Sequence, residues 1–148
     1  TCNGNLSFIK ADYEESVIVP AVIKEGQNFF ASGSVCVELR YGTYRKGLEF
    51  SDKLMFSVSL NRASIVGELR VRPRESGDSF TARNIGRNIK KCFINKKIPA
   101  SLRELIPVIC DDEGIVYVPY IGAADRVYQK NSKDTCNITV AIERVGQQ

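Results

Sequence analysis

The chain of 148 residues contains no histidine. That removes the commonest protein metal ligand and the usual general base at neutral pH, so zinc sites and hydrolase triads built on histidine are excluded. Cysteine occurs only as Cys2, Cys36, Cys92, Cys110 and Cys136, odd in number, scattered, and without a C-x-x-C pair. This argues against a disulfide framework and a thiolate zinc site, and predicts five thiols. No apolar run approaches the roughly 20 residues of a membrane-spanning helix. The first residues, TCNGNLSFIKADYEES, have neither the basic start nor the apolar core of an export signal. The expected location is therefore cytoplasmic. Internal repeats and low-complexity tracts are lacking too, and the polar start at Thr1 reads as part of a longer polypeptide.

What is present is an ordinary globular composition, 43% hydrophobic, enough for one respectable core or two small ones leaning on each other. The charge is unevenly placed. Residues 70–97 hold nine cationic side chains, Arg70, Arg72, Arg74, Arg83, Arg87, Lys90, Lys91, Lys96 and Lys97, against Glu75 and Asp78. This local surplus of seven, in a chain of net +4, leaves the remainder net negative by three. A basic block on a slightly acidic body suggests a directional surface facing polyanions, a phosphate backbone being the commonest such partner.

The first half reads as β-rich. Residues 16–23 (SVIVPAVI) and 34–40 (SVCVELR) are β-branched runs, residues 54–60 (LMFSVSL) alternate, and a loop is expected at 41–47. Residues 69–74 (LRVRPR) alternate strictly, placing Leu69 and Val71 toward a core and Arg70, Arg72 and Arg74 together on the other face. Pro73 ends that strand, and Ser76, Gly77 and Asp78 supply the turn. Asn88 is positioned to cap a helix whose buried stripe is Ile89, Cys92 and Phe93, with Arg87, Lys90 and Lys91 on the opposite side. Lys96 and Lys97 fall near its C-terminal end, where cations complement the dipole, and Pro99 closes it. Ser101 and Glu104 have capping-box spacing and predict a short helix over 102–105. Residues 108–110 and 115–118 predict a hairpin with a four-residue turn at 111–114, and strands at 126–128 and 138–142 complete the sheet.

Taken together, these residues resemble the C-terminal domain of tRNA(Ile)-lysidine synthetase. The resemblance runs through Arg70-Val-Arg72 with Gly77-Asp78, the helix element KKCFINKKIP at 90–99, Arg103 with Pro107, the acidic turn 111–114, and IVYVP at 115–119 followed by Ile121 and Asp125-Arg126. It covers about 60 residues, and its strength lies in the ordered set rather than in any one piece. Two departures stand out. Ser79 occupies the place where the family usually has Arg, leaving Arg83 as the candidate to compensate, and Tyr120 stands where the family often has Gly.

The resemblance implies an α+β fold of the PheT/TilS-like C-terminal type, a β-rich sheet or sandwich core with one prominent and one short helix. It implies a β-rich lead-in segment at 1–66, packing on a tRNA-recognition domain at 67–148. The full enzyme uses ATP to activate the wobble cytidine of an isoleucine tRNA with a CAU anticodon and joins lysine to it. Its S-G-G-x-D-S nucleotide loop is absent here, and Glu75-Ser-Gly-Asp-Ser79 reads as a turn instead. ATP and magnesium therefore belong to an N-terminal catalytic domain outside this sequence, and no cofactor, metal or catalytic residue is expected within it.

The implied role of this region is docking the tRNA acceptor stem through Arg70, Arg72, Arg74, Asp78, Arg83, Arg87, Lys90, Lys91, Lys96 and Lys97. Partners would be isoleucine tRNA and the catalytic domain, with a homodimer of the full-length protein left open. The alternative is an intramolecular docking or dimerisation module without direct RNA contact. Asp78 is weighed chiefly as a turn residue, the acids 111–113 as a solvated turn, and Tyr117, Tyr120 and Tyr128 as core or rim rather than stacking platforms. The Asn137-Ile-Thr139 sequon has no meaning in a cytoplasmic protein.

Overall fold

The computed structural model describes residues 18–42, 53–128 and 134–143. Two antiparallel sheets carry the architecture. The first orders β1 (Ala21–Val22), β5 (Arg70–Arg72), β8 (Val108–Asp111), β9 (Gly114–Val118) and β10 (Gly122–Ala123) as β1-β5-β8-β9-β10. The second orders β2 (Gly26–Phe30), β3 (Val35–Tyr41), β4 (Lys53–Asn61) and β11 (Thr135–Glu143) as β2-β3-β11-β4. A separate hairpin of β6 (Ser79–Ala82) and β7 (Ile85–Asn88) leads into helix α1 (Ile89–Asn95), followed by helix α2 (Ala100–Arg103). Strands from the two ends of the chain interlock: β11 lies between β3 and β4, while β1 completes the sheet of β5 and β8.

The period-2 pattern explains the second sheet. Ile138, Val140 and Ile142 of β11 stand opposite Leu39, Val37 and Val35 on one side and Val58, Phe56 and Leu54 on the other, so three strands present one apolar face. On the other face, the rows of Asn137 and Thr139 are polar and pair across the ladder, Ser59 donating to Asn137 at 2.6 Å and the hydroxyls of Ser57 and Thr139 lying 3.3 Å apart, while Ala141 stands between Cys36 and Met55. Asn137 is buried, and its amide also donates to the Gly42 carbonyl at 2.8 Å. One buried cluster joins this face to Val71, Val108, Val116 and Val118 of the first sheet and to Ile89 and Phe93 of α1. Each such side chain, fully withdrawn from water, contributes about 1.5–3 kcal/mol.

The basic block is an excursion between two paired strands. Arg72 at the end of β5 stands opposite Val108 at the start of β8, so residues 73–107 leave the first sheet and return beside their point of departure. Asn88 caps α1 as expected, its side chain accepting from the Lys91 N–H at 3.0 Å, and Ile89 and Phe93 are buried with Cys92 at the margin. Other expectations change. The strand starting at 69 stops at Arg72, because Pro73 has no N–H to donate, and Arg74 lies beyond it. Arg87 belongs to β7 and precedes α1 rather than riding on it. The short second helix starts at Ala100, ahead of the start at Leu102 that the capping-box spacing indicates. Pro99 is its N-cap and no side chain caps it, because proline carries no polar side-chain atom to accept a hydrogen bond. The hairpin turn of β8 and β9 is the two residues Asp112 and Glu113. Residues 125–127 form a 3-10 turn instead of a strand, touching β4 through a single bridge of Tyr128 with Leu60. The hairpin β6–β7 and the short β2 and β10 carry no clear signal in the sequence pattern; parts of the loop at 41–47 and of the 16–23 run lie outside the described residues.

Helix α1 ends in a Schellman motif. The Ile98 N–H donates to the Phe93 carbonyl at 3.1 Å and the Lys97 N–H to the Ile94 carbonyl at 3.0 Å, with Ile98 and Phe93 both buried beside them. Lys97 occupies the left-handed position at φ 57°, which glycine fills more easily. Lys97→Gly is expected to raise the free energy of unfolding by about 0.5–1 kcal/mol, read as a higher urea midpoint at unchanged slope.

Candidate nucleic-acid interface

Three carboxylates organise the surroundings of the basic block. Asp78 receives a two-pronged contact from Arg72, Nη1 to Oδ2 at 2.8 Å and Nη2 to Oδ1 at 3.0 Å, and its Oδ2 also accepts from the Glu75 N–H at 2.7 Å. Its main-chain carbonyl accepts from the Ile89 N–H at 3.0 Å, so one residue closes the 75–78 turn and ties it to the start of α1. Burial raises the Asp78 carboxyl, but hydrogen bonds from Arg72 and the Glu75 N–H, with the charges of Arg72 and Arg74, outweigh it and hold the acid below its ordinary range. The hydrogen bond from Arg72 to Asp78 correspondingly raises the guanidinium.

Asp111 is the second. The acids at 111–113 are not a uniformly solvated turn: the Asp111 side chain is fully buried and accepts from the N–H groups of Val66, Glu113 and Gly114 and from both terminal nitrogens of Arg126, at 2.7 and 3.0 Å. A carboxylate that ends strand β8 is turned inward because five donors converge on it, which periodicity does not register. Burial again raises this acid, and Arg126 and the backbone donors overcome that to lower it. Asp112 turns the other way, to Arg70 at 2.9 Å. The third carboxylate, Asp125, accepts from the N–H groups of Arg83 and Asn84, each at 2.7 Å. These two residues, at φ 54° and 64°, form the tip of the β6–β7 hairpin, which Asp125 thereby pins to the 3-10 turn.

The predicted site residues therefore divide. Arg70 and Arg72 are engaged by Asp112 and Asp78, and Asp78 is committed to Arg72 and the turn. Arg83, Lys90, Lys91, Lys96 and Lys97 are exposed and Arg87 and Arg74 half-buried, and among the described residues no carboxylate pairs with any of them. The uncompensated charge lies along the hairpin and α1 rather than along the β5 arginine row. Lys90 and Lys91 stand in the first turn of α1, which contains no acid, at the end where the helix dipole disfavours cations. Ser79 opens β6 opposite Asn88, so Arg87, one register step away, is nearer to it than Arg83 at the hairpin tip.

Residues 69–140 match the family model described as the TilS substrate C-terminal domain. This stretch belongs to that family. The tRNA(Ile)-lysidine synthase of Pseudothermotoga lettingae is 28% identical over 122 residues, which are 76% of this chain and 26% of that protein. The tRNA(Ile)-lysidine synthase of Bacillus cereus is 45% identical over 56 residues, 36% of this chain and 12% of that protein. The chain thus spans about a quarter or less of these relatives. A crystal structure of a TilS C-terminal domain superposes with a TM-score of 0.56 at 23% identity, covering 75% of this chain and 86% of that one, in agreement with the β-rich α+β fold expected. The TilS match extends from Leu69, next to β5, to Val140 on β11 and so contains all three carboxylate clamps. Tyr120, where the family often has glycine, sits at φ 75° in the turn after Pro119, and its ring packs on Phe56 with centroids 4.6 Å apart. The aromatic contact offsets part of the backbone strain.

Two outcomes test this geometry. Asp111→Ala leaves Arg126 and three N–H groups without their acceptor, and is expected to cost on the order of 3 kcal/mol in urea unfolding. Because Asp78 and Asp111 have folded values below the ordinary 3.8, their contribution is complete above that value and lost as pH falls through the lower folded values. Stability measured downward from pH 5 should therefore fall more steeply in the wild type than in Asp111→Ala.

Proposed function

We propose that this chain is the tRNA-docking part of a tRNA(Ile)-lysidine synthetase and that its β6–β7 hairpin and helix α1 engage the phosphate backbone of the tRNA acceptor stem. The observation that carries this reading is the run of Arg83, Arg87, Lys90, Lys91, Lys96 and Lys97 along the hairpin and α1, a cationic ridge in which none is paired with a carboxylate among the described residues, while Asp78, Asp111 and Asp125 are committed to Arg72, Arg126 and backbone N–H groups. In an A-form stem the deep groove hides base edges, so contacts to phosphate and ribose position the domain and shape selects the site. The full protein, in this reading, forms lysidine on isoleucine tRNA with ATP and magnesium held by an N-terminal catalytic domain, while this region contributes orientation and no chemistry. Arg70 and Arg72, being ion-paired, support the ridge instead of binding phosphate directly.

Binding of the chain to isoleucine tRNA with a CAU anticodon, to elongator methionine tRNA and to a plain RNA duplex across a salt series tests it. Replacing Arg87, Lys90 and Lys91 together by Ala should weaken binding at least tenfold and leave the unfolding midpoint little changed. The log–log salt slope should flatten by roughly 2 units, at about 0.7–0.9 for each phosphate no longer neutralised. Undiminished affinity in the folded triple variant would overturn the assignment.

A further inference from the structure

Between the hairpin tip, the β9–β10 turn and strand β4 lies an open cleft of about 1020 Å³, lined among others by Arg83, Asn84, Tyr120, Tyr128, Asn61 and Ser57. It adjoins the cationic ridge, because Arg83 and Arg87 belong to the same hairpin. We propose that this cleft takes one or two unpaired nucleotides of an RNA whose duplex lies on the ridge, with a base stacked on Tyr128 and a phosphate at Arg83. The inference rests on the RNA-docking reading and specifies which part of such an RNA enters the protein.

Four features converge on it. Tyr128 is 56% exposed, although its backbone is held by the bridge to Leu60 and by its N–H on the Asp125 carbonyl at 3.3 Å, so a ring on a fixed main chain faces solvent. It differs in this from Tyr117, which is buried in the core, and from Tyr120, which packs on Phe56. Among the described residues Arg83 has no carboxylate partner and Asp125 is the one acid lining the cleft, directing both oxygens to the N–H groups of Arg83 and Asn84. The Asp125 oxygens are thus engaged by backbone donors rather than by the Arg83 guanidinium, which leaves that guanidinium available to a phosphate. Arginine also stands at the first position of a left-handed two-residue turn, where Asn or Gly is preferred and a long side chain carries a backbone cost.

The shape selects the ligand class. Bases stacked inside a duplex cannot enter a cleft, whereas an unpaired base has an open face for an aromatic ring, a contact that tolerates any sequence. The volume lies at the upper end of the roughly 300–1,000 Å³ usual for small-ligand sites, which leaves room for more than one nucleotide.

The test compares a blunt RNA duplex with the same duplex bearing a two-nucleotide overhang on either end, binding to the 148-residue chain by fluorescence anisotropy. An overhang is expected to tighten binding about tenfold in the wild type, in line with stacking on one aromatic ring. Tyr128→Leu should abolish that gain and leave the blunt duplex unaffected, and Tyr128→Phe should retain it. Binding of the blunt duplex with no overhang gain, or a gain that survives in Tyr128→Leu, would overturn the cleft assignment while leaving backbone docking intact. If neither RNA binds the folded chain, both readings fall. AMP alone should give no saturation below millimolar concentration; tight AMP binding without an overhang gain would assign the cleft to a free nucleotide and refute the RNA reading of it.

Discussion

Arg72 and Asp78 meet six residues apart in sequence, with the side chain of Asp78 nearly buried and that of Arg72 largely so. Their two parallel hydrogen bonds fold the chain back at the moment it leaves the first sheet, and the geometry admits no lysine in place of the arginine. From this contact the rest of the excursion follows. The Asp78 carbonyl receives the first N–H of α1, α1 buries Ile89 and Phe93, and the chain returns to pair Val108 with Arg72 itself. A half-buried ion pair of this kind adds little net stability against an apolar replacement, but loss of one member leaves the other without its partner, so it specifies geometry more than it stabilises.

The same logic separates the charges. Asp78, Asp111 and Asp125 are each filled by guanidinium or backbone donors, and Asp112 is taken by Arg70. These four acids are thus committed at turns and strand ends instead of facing the surface lysines. The positive field of the hairpin and α1 remains, on a backbone held at the hairpin base and at its tip. A ridge fixed at both ends loses little conformational freedom on meeting a polyanion, which favours association.

Backbone strain is concentrated around the cleft. Of the five described non-glycine residues with positive φ, Arg83, Asn84 and Tyr120 line it, while Lys97 ends helix α1 and Ala31 lies between β2 and β3. Tyr120 gains a packing contact with Phe56; for Lys97 and Arg83 the described residues provide no comparable ring contact or ion pair.

Alternation and turn chemistry made the strands at 35–41, 53–61 and 135–143 legible, and the cap at Asn88 with the stripe of Ile89 and Phe93 marked α1, because these are local properties of three to nine residues. The density of arginine and lysine at 70–97 was legible as well, as were the ordered pieces that resemble the TilS C-terminal domain, whose family model matches residues 69–140. Which of those cations are unpaired was not legible. Arg70 and Arg72 look equivalent to Arg87 and Lys90 along the chain, yet Asp112 reaches the first from 42 residues away and Asp78 the second across a turn. Asp111 reads as a solvated acid until Arg126 and three N–H groups meet it. Tyr128 reads like Tyr117 until the fold buries one and exposes the other. The sequence determined where charge and apolar surface occur. Only the tertiary structure decided which charges neutralise each other, since pairing depends on distances between segments far apart in the chain.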